Sequence, residues 1–166
     1  MRWVPFTAIC FQGLSLCRII DYSYSRDVSL YDGKLKKVHH IDFTNPYSDA
    51  IRQRILQAAR TVNSRSQTGC EVMPSGVYAC TQGPRLETAA EIRRLAKDGC
   101  DMVGMTGMPE ASLARELEID YASLALCVNW AAGLSEEAIT LEGIHSVLEG
   151  GMQYVSAVIA EIVQHS

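Results

Sequence analysis

The apolar positions in the first half of the chain predict one amphipathic helix after a region of loops. Residues 19–45 alternate short apolar groups with turn residues such as Asp32-Gly33, which predicts a loop with one or two short strands. Residues 63–69 are polar and serine-rich and predict a connector. Between them, residues 50–62 carry apolar side chains at helical spacing with arginines in between. These apolar positions are Ile51, Ile55, Leu56, Ala58 and Ala59.

The second half of the chain alternates apolar strands with helical patterns. Residues 76–81, 101–105 and 121–128 predict strands, the last of the fully buried kind. Thr88 and Glu91 have the T-x-x-E spacing of a capping box, so a helix should follow and end at Gly99. Pro109 suits the first turn of another helix. A last helical region covers residues 136–162, with Gly150-Gly151 as a candidate break. Strands alternating with helices predict an α/β domain.

Length and composition indicate one ordinary globular domain. The chain has 166 residues, of which 48% are hydrophobic and 20% are charged, and its net charge is −4. This balance excludes a disordered tail, a coiled coil, a collagen-like repeat and a disulfide miniprotein. Because no basic block stands out, nucleic acid is not expected as a partner.

Neither the cysteines nor the N-terminus point to secretion, a metal or a membrane. The six cysteines form no CxxC or CxxH pair, and several lie in apolar runs, so we expect reduced thiols and a cytoplasmic protein. No histidine has metal-ligand spacing, and no metal is expected. The first 20 residues are too polar to span a bilayer and lack a signal-cleavage site.

Polar groups collect directly after three predicted strands, at residues 82–87, 105–107 and 129–133. In open α/β folds, ligands bind beyond the carboxyl ends of strands. Thr106 could hold an anion or cap the next helix. Asn129 could contact a heterocycle or tie down its loop, and Glu87 could accept a ring N–H or complement a helix dipole. Spacing alone leaves these alternatives open.

Two long runs, GPRLETAAE at 83–91 and DMVGMTGMPEASLARE at 101–116, carry a specific resemblance. With IIDYS, LYDG and HHIDFTNPYS upstream, residues 19–166 resemble the trimeric purine nucleoside phosphorylase and methylthioadenosine phosphorylase family. The resemblance implies a three-layer α/β fold with a central mixed sheet flanked by helices. It implies a pentosyltransferase that cleaves purine nucleosides with inorganic phosphate, giving a free base and a ribose 1-phosphate. It also implies no cofactor and a homotrimer.

The resemblance assigns most of the strand-end residues to the purine. The base is expected among Leu86, Glu87, Met105 and Asn129, with Asn129 as the catalytic group that stabilises charge on the departing purine. Trp130 and Ala131 continue this base-binding segment.

The other assigned residues concern the ribose, the phosphate and the neighbouring subunit. Met105 matches the residue that packs under the ribose and offers its N–H to a sugar hydroxyl. Thr106 matches a phosphate ligand, which the resemblance favours over the helix cap. His40 matches a residue that reaches into the neighbouring subunit's site.

Four residues bear on substrate choice. The family's 6-aminopurine enzymes have Asp in place of Asn129, whereas an amide can donate to a 6-oxo group. The Glu87 carboxylate can accept the N1–H of a 6-oxopurine. Leu141 stands where inosine-type enzymes place a histidine for the 5′-hydroxyl, and Ile144 lies one turn further, so a methylthio group is favoured. The expected substrate is S-methyl-5′-thioinosine; inosine, guanosine and methylthioadenosine are the alternatives.

The chain also departs from the family pattern. Residues 1–18 do not resemble the family, and we hypothesise that they are an artefact of the gene start. The family's N-terminal Gly-Thr-Gly turn, Arg-His pair and N-A-x-G-G segment have no match, and Leu86 replaces an aromatic that stacks on the base. We therefore expect a sheet without its first strands and low activity. A non-catalytic chain that binds purine or assembles with a full-length homologue is the alternative.

Overall fold

The computed structural model describes residues 12–15, 17–31, 33, 39–66, 71–136 and 139–165. The predicted turn residue Asp32, the connector residues 67–70 and the cysteines Cys10 and Cys70 lie outside these ranges. The described strands are β1 (Gln12–Ser15), β2 (Arg18–Asp21), β3 (Glu71–Met73), β4 (Val77–Cys80), β5 (Met102–Gly104) and β6 (Leu124–Leu126). The described helices are α1 (Asp49–Arg65), α2 (Ala89–Lys97), α3 (Glu110–Glu116) and α4 (Leu141–Gln164).

The described strands form an α/β arrangement with two three-stranded sheets. In the first sheet, β1 is central, parallel to β3 and antiparallel to β6. In the second, β4 is central and parallel to both β2 and β5. The carboxyl ends of β4 and β5 therefore lie at the same edge, and the segments that follow them are neighbours.

Helices cover these sheets through three apolar clusters. Helix α1 packs on α4, where Ala59 and Val158 are almost fully buried. Helix α2 packs Ile92 and Leu95 against the fully buried Ala79 of β4. On its other face β4 contributes Tyr78 and Cys80 to a cluster with Tyr47, Met108 and Ala111. The central strand β4 is thus buried on both faces, as expected of a parallel strand between layers.

The predicted helices α1 and α2 are confirmed, with one change of boundary. Helix α1 continues to Arg65, so residues 63–65 belong to the helix and not to the connector. Arg65 is held there by an ion pair with the buried Glu161 of α4, with Nη1 and Oε2 2.6 Å apart. Around α2, the side chain of Thr88 accepts from the N–H of Glu91, and Glu91 accepts from the N–H of Thr88, as a capping box requires.

Two predictions about the last helix were wrong. Helix α4 begins at Leu141 and not at 136, because the Thr140 hydroxyl accepts the N–H of Gly143 at 3.2 Å and caps the helix there. The helix is also continuous through Gly150-Gly151. Gly151 packs closely against the side chain of Leu126, and a Cβ at this position would overlap it. The glycine therefore serves close packing and not a break.

The third predicted strand is shorter and more exposed than expected. Only Leu124–Leu126 of residues 121–128 is paired, and all three residues are half-buried. In the described sheet, β6 pairs with one strand, the four-residue β1. The ladder between the two strands has three residue pairs.

The described cysteines behave as packed thiols. Cys17, Cys80, Cys100 and Cys127 are free, and Cys80 and Cys100 are buried. Burial raises the pKa of Cys80 and Cys100, and it raises the pKa of Cys127 to about 11. Over the described ranges, none of the helices has the length and apolar character needed to cross a bilayer.

Glu91 should make stability depend on acid pH. The Arg85 guanidinium, 2.7 Å from its Oε1, and the N–H of Thr88 lower the pKa of Glu91 to about 2. Because this pKa is below that of the unfolded chain, the ionised carboxylate stabilises the fold, and this stabilisation is lost as pH falls from about 5 to about 2. In urea unfolding measured from neutral pH down to about 2, E91Q should be less stable near neutral pH and show a flatter pH dependence. The exposed-site control E149Q should keep the wild-type curve, and an E91Q curve of wild-type shape would contradict the assignment.

Candidate functional site

The segments after β4 and β5 are joined at the sheet edge. The N–H of Thr81 donates to the Gly104 carbonyl at 2.8 Å, which continues the ladder beyond both strands. Gly83 has φ +64°, a backbone conformation that favours glycine. The Met105 side chain lies on Gly83, where a Cβ would overlap its Sδ atom. After the ligand groups that the resemblance leads us to expect there, we call residues 81–87 the base loop and residues 105–109 the ribose loop; the structure places the two loops in contact.

Glu87 is oriented by a hydroxyl from the strand end. The Thr81 Oγ1 atom donates to Glu87 Oε1 at 2.6 Å and also lies 3.2 Å from the Gly104 carbonyl. Within the described part of the chain, Glu87 Oε2 has no hydrogen-bond partner. The capping box of α2 begins at the next residue and fixes the end of the base loop. One carboxylate oxygen of Glu87 therefore remains available as an acceptor. Leu86, next to it, is half exposed.

The loop that follows β6 lies against the start of α2. A Cβ on Gly133 would lie 2.5 Å from the Cβ of Ala89, the first residue of α2. Ala131 packs on the cluster formed by α2 and β4. These contacts place Gly133 beside Ala89, which follows Glu87 by two residues in sequence, and Asn129 lies four residues before Gly133 in the same loop.

Asn129 is exposed, and its side-chain amide keeps a donor and an acceptor that can contact a ligand. The Nδ2 atom donates to the Trp130 carbonyl at 2.7 Å, which uses one of its two N–H groups. The second N–H and the Oδ1 atom can therefore serve a ligand. The same contact with Trp130 partly supports the alternative, in which Asn129 holds its own loop in place.

Thr106 does not cap a helix. Helix α3 begins after Pro109 and has no side-chain cap, so the helix-cap interpretation of Thr106 was wrong. Its Oγ1 lies 3.2 Å from the Tyr78 hydroxyl, and its N–H donates to the same hydroxyl at 3.2 Å. Gly104 allows this arrangement, because a Cβ there would overlap the Tyr78 hydroxyl. Both polar groups of Thr106 thus converge on one point.

Sequence reasoning did not identify Tyr78 as part of this site. The available signals were weak: a buried tyrosine needs a partner for its hydroxyl, and a glycine inside a strand often marks a close approach. Tyr78 pairs with Met102, so its hydroxyl can reach across to Gly104, two residues further along β5. The register of β4 and β5, and not any local motif, brings the two together.

Arg26 is a second residue that the sequence did not reveal. Its guanidinium donates to the carbonyls of Thr81 at 3.0 Å, Gln82 at 3.1 Å and Met105 at 3.1 Å, and also to the Met108 carbonyl. It therefore contacts both the base loop and the ribose loop. These are contacts between segments more than 50 residues apart, for which sequence spacing gives no signal.

A cavity of about 240 Å³ opens on one side of the base loop. Its lining includes Thr81, Glu87 and the cations Arg85 and Arg94. The cavity therefore reaches Glu87 from the side of α2 and does not include Met105, Thr106 or Asn129.

The remaining predicted residues lie on other parts of the structure. His40 is exposed and lines a separate cavity of about 390 Å³ together with Arg115 and Asp120. Leu141 is 75% exposed at the first residue of α4, and Ile144 is half-buried one turn later. The contacts described above join residues 81–87 to Met105 and place Gly133 against Ala89, but they do not include His40, Leu141 or Ile144.

Comparison with known proteins gives a consistent result. The sequence model of the phosphorylase superfamily matches residues 16–164. A probable S-methyl-5′-thioinosine phosphorylase of Pseudomonas syringae pv. tomato is 51% identical over 148 residues, which are 89% of this chain and 58% of that protein. The 6-oxopurine nucleoside phosphorylase of Pyrococcus furiosus is 44% identical over 153 residues, 89% of this chain and 54% of that protein.

The fold comparison agrees with the sequence comparison. The structure of methylthioadenosine phosphorylase from Schistosoma mansoni in complex with adenine superposes with a TM-score of 0.81 at 26% identity. It covers 92% of this chain and 58% of that one. The chain therefore spans little more than half the length of the relatives it matches. Because the superfamily match extends over nearly the whole described structure, this chain belongs to the phosphorylase superfamily.

Proposed function

We propose that this chain carries the purine- and ribose-binding side of a purine nucleoside phosphorylase. The proposed reaction cleaves S-methyl-5′-thioinosine with inorganic phosphate into hypoxanthine and 5-methylthioribose 1-phosphate, without a cofactor. The observation that supports this best is the Glu87 carboxylate, held by Thr81 through Oε1 with Oε2 available, beside the loop that bears Asn129. The names of the sequence relatives, which include thioinosine and 6-oxopurine enzymes, support the same substrate class.

The polar groups suit a 6-oxopurine. Such a base carries an N1–H, which a carboxylate oxygen of Glu87 can accept. Its O6 can accept from the free N–H of the Asn129 amide, and Oδ1 can accept from a protonated N7. As the glycosidic bond breaks, negative charge accumulates on the purine. Asn129 therefore contributes to catalysis if its contacts strengthen at that stage. Leu86, Trp130 and Ala131 would supply the apolar surroundings of the ring.

The ribose and the phosphate would lie over the ribose loop. The Met105 side chain rests on Gly83, and its backbone N–H would contact a sugar hydroxyl. Thr106 would offer its hydroxyl and its N–H to phosphate in exchange for their present contacts with the Tyr78 hydroxyl. Orienting phosphate against C1′ converts the attack into an effectively unimolecular step.

The 5′ substituent and the assembly are further parts of the proposal. Leu141 is strongly exposed for an apolar side chain, and contact with a methylthio group would remove it from water without leaving a polar group unpaired. Ile144 would extend the same surface. We also propose a homotrimer in the cytoplasm, in which His40 reaches a neighbouring site.

A second candidate function is purine binding without turnover. The engagement of both polar groups of Thr106 by the Tyr78 hydroxyl favours it, because phosphate must compete with that tyrosine. The two functions share the same purine contacts and differ only in the phosphate step.

The deciding experiment is phosphate-dependent release of hypoxanthine from S-methyl-5′-thioinosine by the purified chain, with inosine and methylthioadenosine in parallel. Purine binding is measured on the same sample by calorimetry. The first candidate predicts release that requires phosphate and favours S-methyl-5′-thioinosine. Hypoxanthine binding without release supports the second candidate, and absence of both contradicts the two.

N129D should move base preference from hypoxanthine toward adenine. A carboxylate repels a 6-oxo group and accepts from a 6-amino group, so hypoxanthine affinity should fall by about tenfold or more while adenine affinity rises. Calorimetric titration with both bases measures the ratio. N45D adds the same charge on an exposed loop and should leave the ratio unchanged; an unchanged ratio in N129D would remove Asn129 from the base site.

T81V should weaken hypoxanthine binding by releasing Glu87. A hydrogen bond to a charged group contributes about 1.5–3 kcal/mol, so a loss of about tenfold to a hundredfold in affinity is expected. T81S keeps the hydroxyl and is the matched control. If T81V and T81S bind hypoxanthine equally well, the Thr81 contact does not orient a purine-binding carboxylate.

A further inference from the structure

We infer that Arg26 is a positioning residue that sets the spacing between the base loop and the ribose loop. This inference rests on the proposed function, because it concerns the geometry of the same purine and ribose site. Arg26 lies in the segment after β2, and none of the residues assigned above to the substrate is adjacent to it in sequence.

The guanidinium uses its donors on both loops at once. Its Nη2 atom lies 3.0 Å from the Thr81 carbonyl and 3.1 Å from the carbonyls of Gln82 and Met105. Its Nη1 atom donates to the Met108 carbonyl and lies 3.6 Å from the Cys80 Sγ. One planar group thus connects Cys80, the last residue of β4, and the two residues after it with both ends of the turn that carries Thr106.

The segment that carries Arg26 is itself attached to the base loop. The Oε1 atom of Gln82 accepts from Arg26 Nε at 3.3 Å and from the Tyr24 backbone N–H at 3.1 Å. The N–H of Tyr22 donates to the Cys80 carbonyl at 2.8 Å and continues the β2–β4 ladder. Arg26 therefore approaches the loops from a fixed backbone, which is what a positioning role requires.

The chemistry of the contact favours arginine in particular. Carbonyl oxygens that converge on one point repel one another unless donors lie between them, and the five N–H groups of a guanidinium can serve several acceptors in one plane. The acceptors described here are neutral, so the positive charge of Arg26 is not cancelled by a bound carboxylate. Lysine keeps the charge but has a single ammonium group, which cannot reach the same set of carbonyls.

Loss of this bridge should shift the loops relative to each other. Glu87 is fixed at the end of the base loop, whereas Met105 and Thr106 belong to the ribose loop, so a nucleoside that spans them depends on their spacing. A displacement of about 1 Å in such a site can lower activity by about two orders of magnitude. The inference is therefore that Arg26 affects binding without touching substrate.

The test compares the wild-type chain with R26K and with R60K, a control at an exposed position of α1. Hydrogen–deuterium exchange is measured over residues 81–87 and 105–109, and over the α1–α4 pair. Hypoxanthine affinity, the thermal midpoint and, where turnover is present, KM and kcat for nucleoside and phosphate are measured on the same samples.

The inference predicts that R26K exchanges faster in both loops, with unchanged protection of α1 and α4. Its hypoxanthine affinity should fall about tenfold. In turnover, R26K should raise KM for the nucleoside, whereas a merely structural defect would reduce the folded fraction and leave KM unchanged. R60K should match the wild type throughout.

Two results separate this inference from the proposed function. Wild-type exchange and affinity in R26K would overturn the inference and leave the proposed function intact. Faster exchange in both loops, together with a wild-type chain that binds no purine, would support the bridging role of Arg26 and contradict the proposed function.

Discussion

The candidate site depends on the way in which backbone carbonyls at the ends of β4 and β5 obtain hydrogen-bond partners. Buried carbonyl groups that leave a sheet without a donor are costly. Here the Thr81 N–H continues the ladder to Gly104, and Arg26 supplies donors to the carbonyls that follow. The backbone carbonyls of Thr81, Gly104 and Met105 therefore have donors where the two loops leave the sheet. The loops also remain in contact there, through Met105 and Gly83.

Close packing of the two loops requires glycine at two points of the site. Gly83 turns the base loop with a positive φ and makes room for Met105. Gly104 makes room for the hydroxyl of Tyr78, which in turn holds Thr106. Met105 and Thr106, which would contact substrate, are thus supported by Gly83 and Tyr78, which would not.

Local signals made part of this structure predictable from sequence. The capping box of Thr88 and Glu91 and the helical spacing of α1 depend on residues within a few positions of each other, and both were confirmed. The family resemblance rested on continuous runs and was confirmed by the superfamily match. Because Leu86 and Glu87 lie directly before the capped helix, the location of the base loop could also be predicted.

The rest of the site depends on contacts that sequence spacing does not encode. Arg26 meets its acceptors across 54 or more positions, and Tyr78 meets Thr106 only through the register of two strands. The start of α4 was predicted at residue 136, four residues before its N-cap. The apolar pattern in this segment is weak and did not mark Thr140 as the cap. Thr106 was ambiguous for the same reason: its neighbours suggested a cap, and only the position of Tyr78 shows its actual partner.

The proposed purine site is tested most directly by a crystal structure of the chain with hypoxanthine and phosphate. We predict that the N1–H of the purine donates to Glu87 Oε2, that O6 and N7 face the Asn129 amide, and that the base lies over the contact between Gly83 and Met105. A purine bound instead in the cavity beside Arg94, with no contact to Asn129 or Met105, would contradict it.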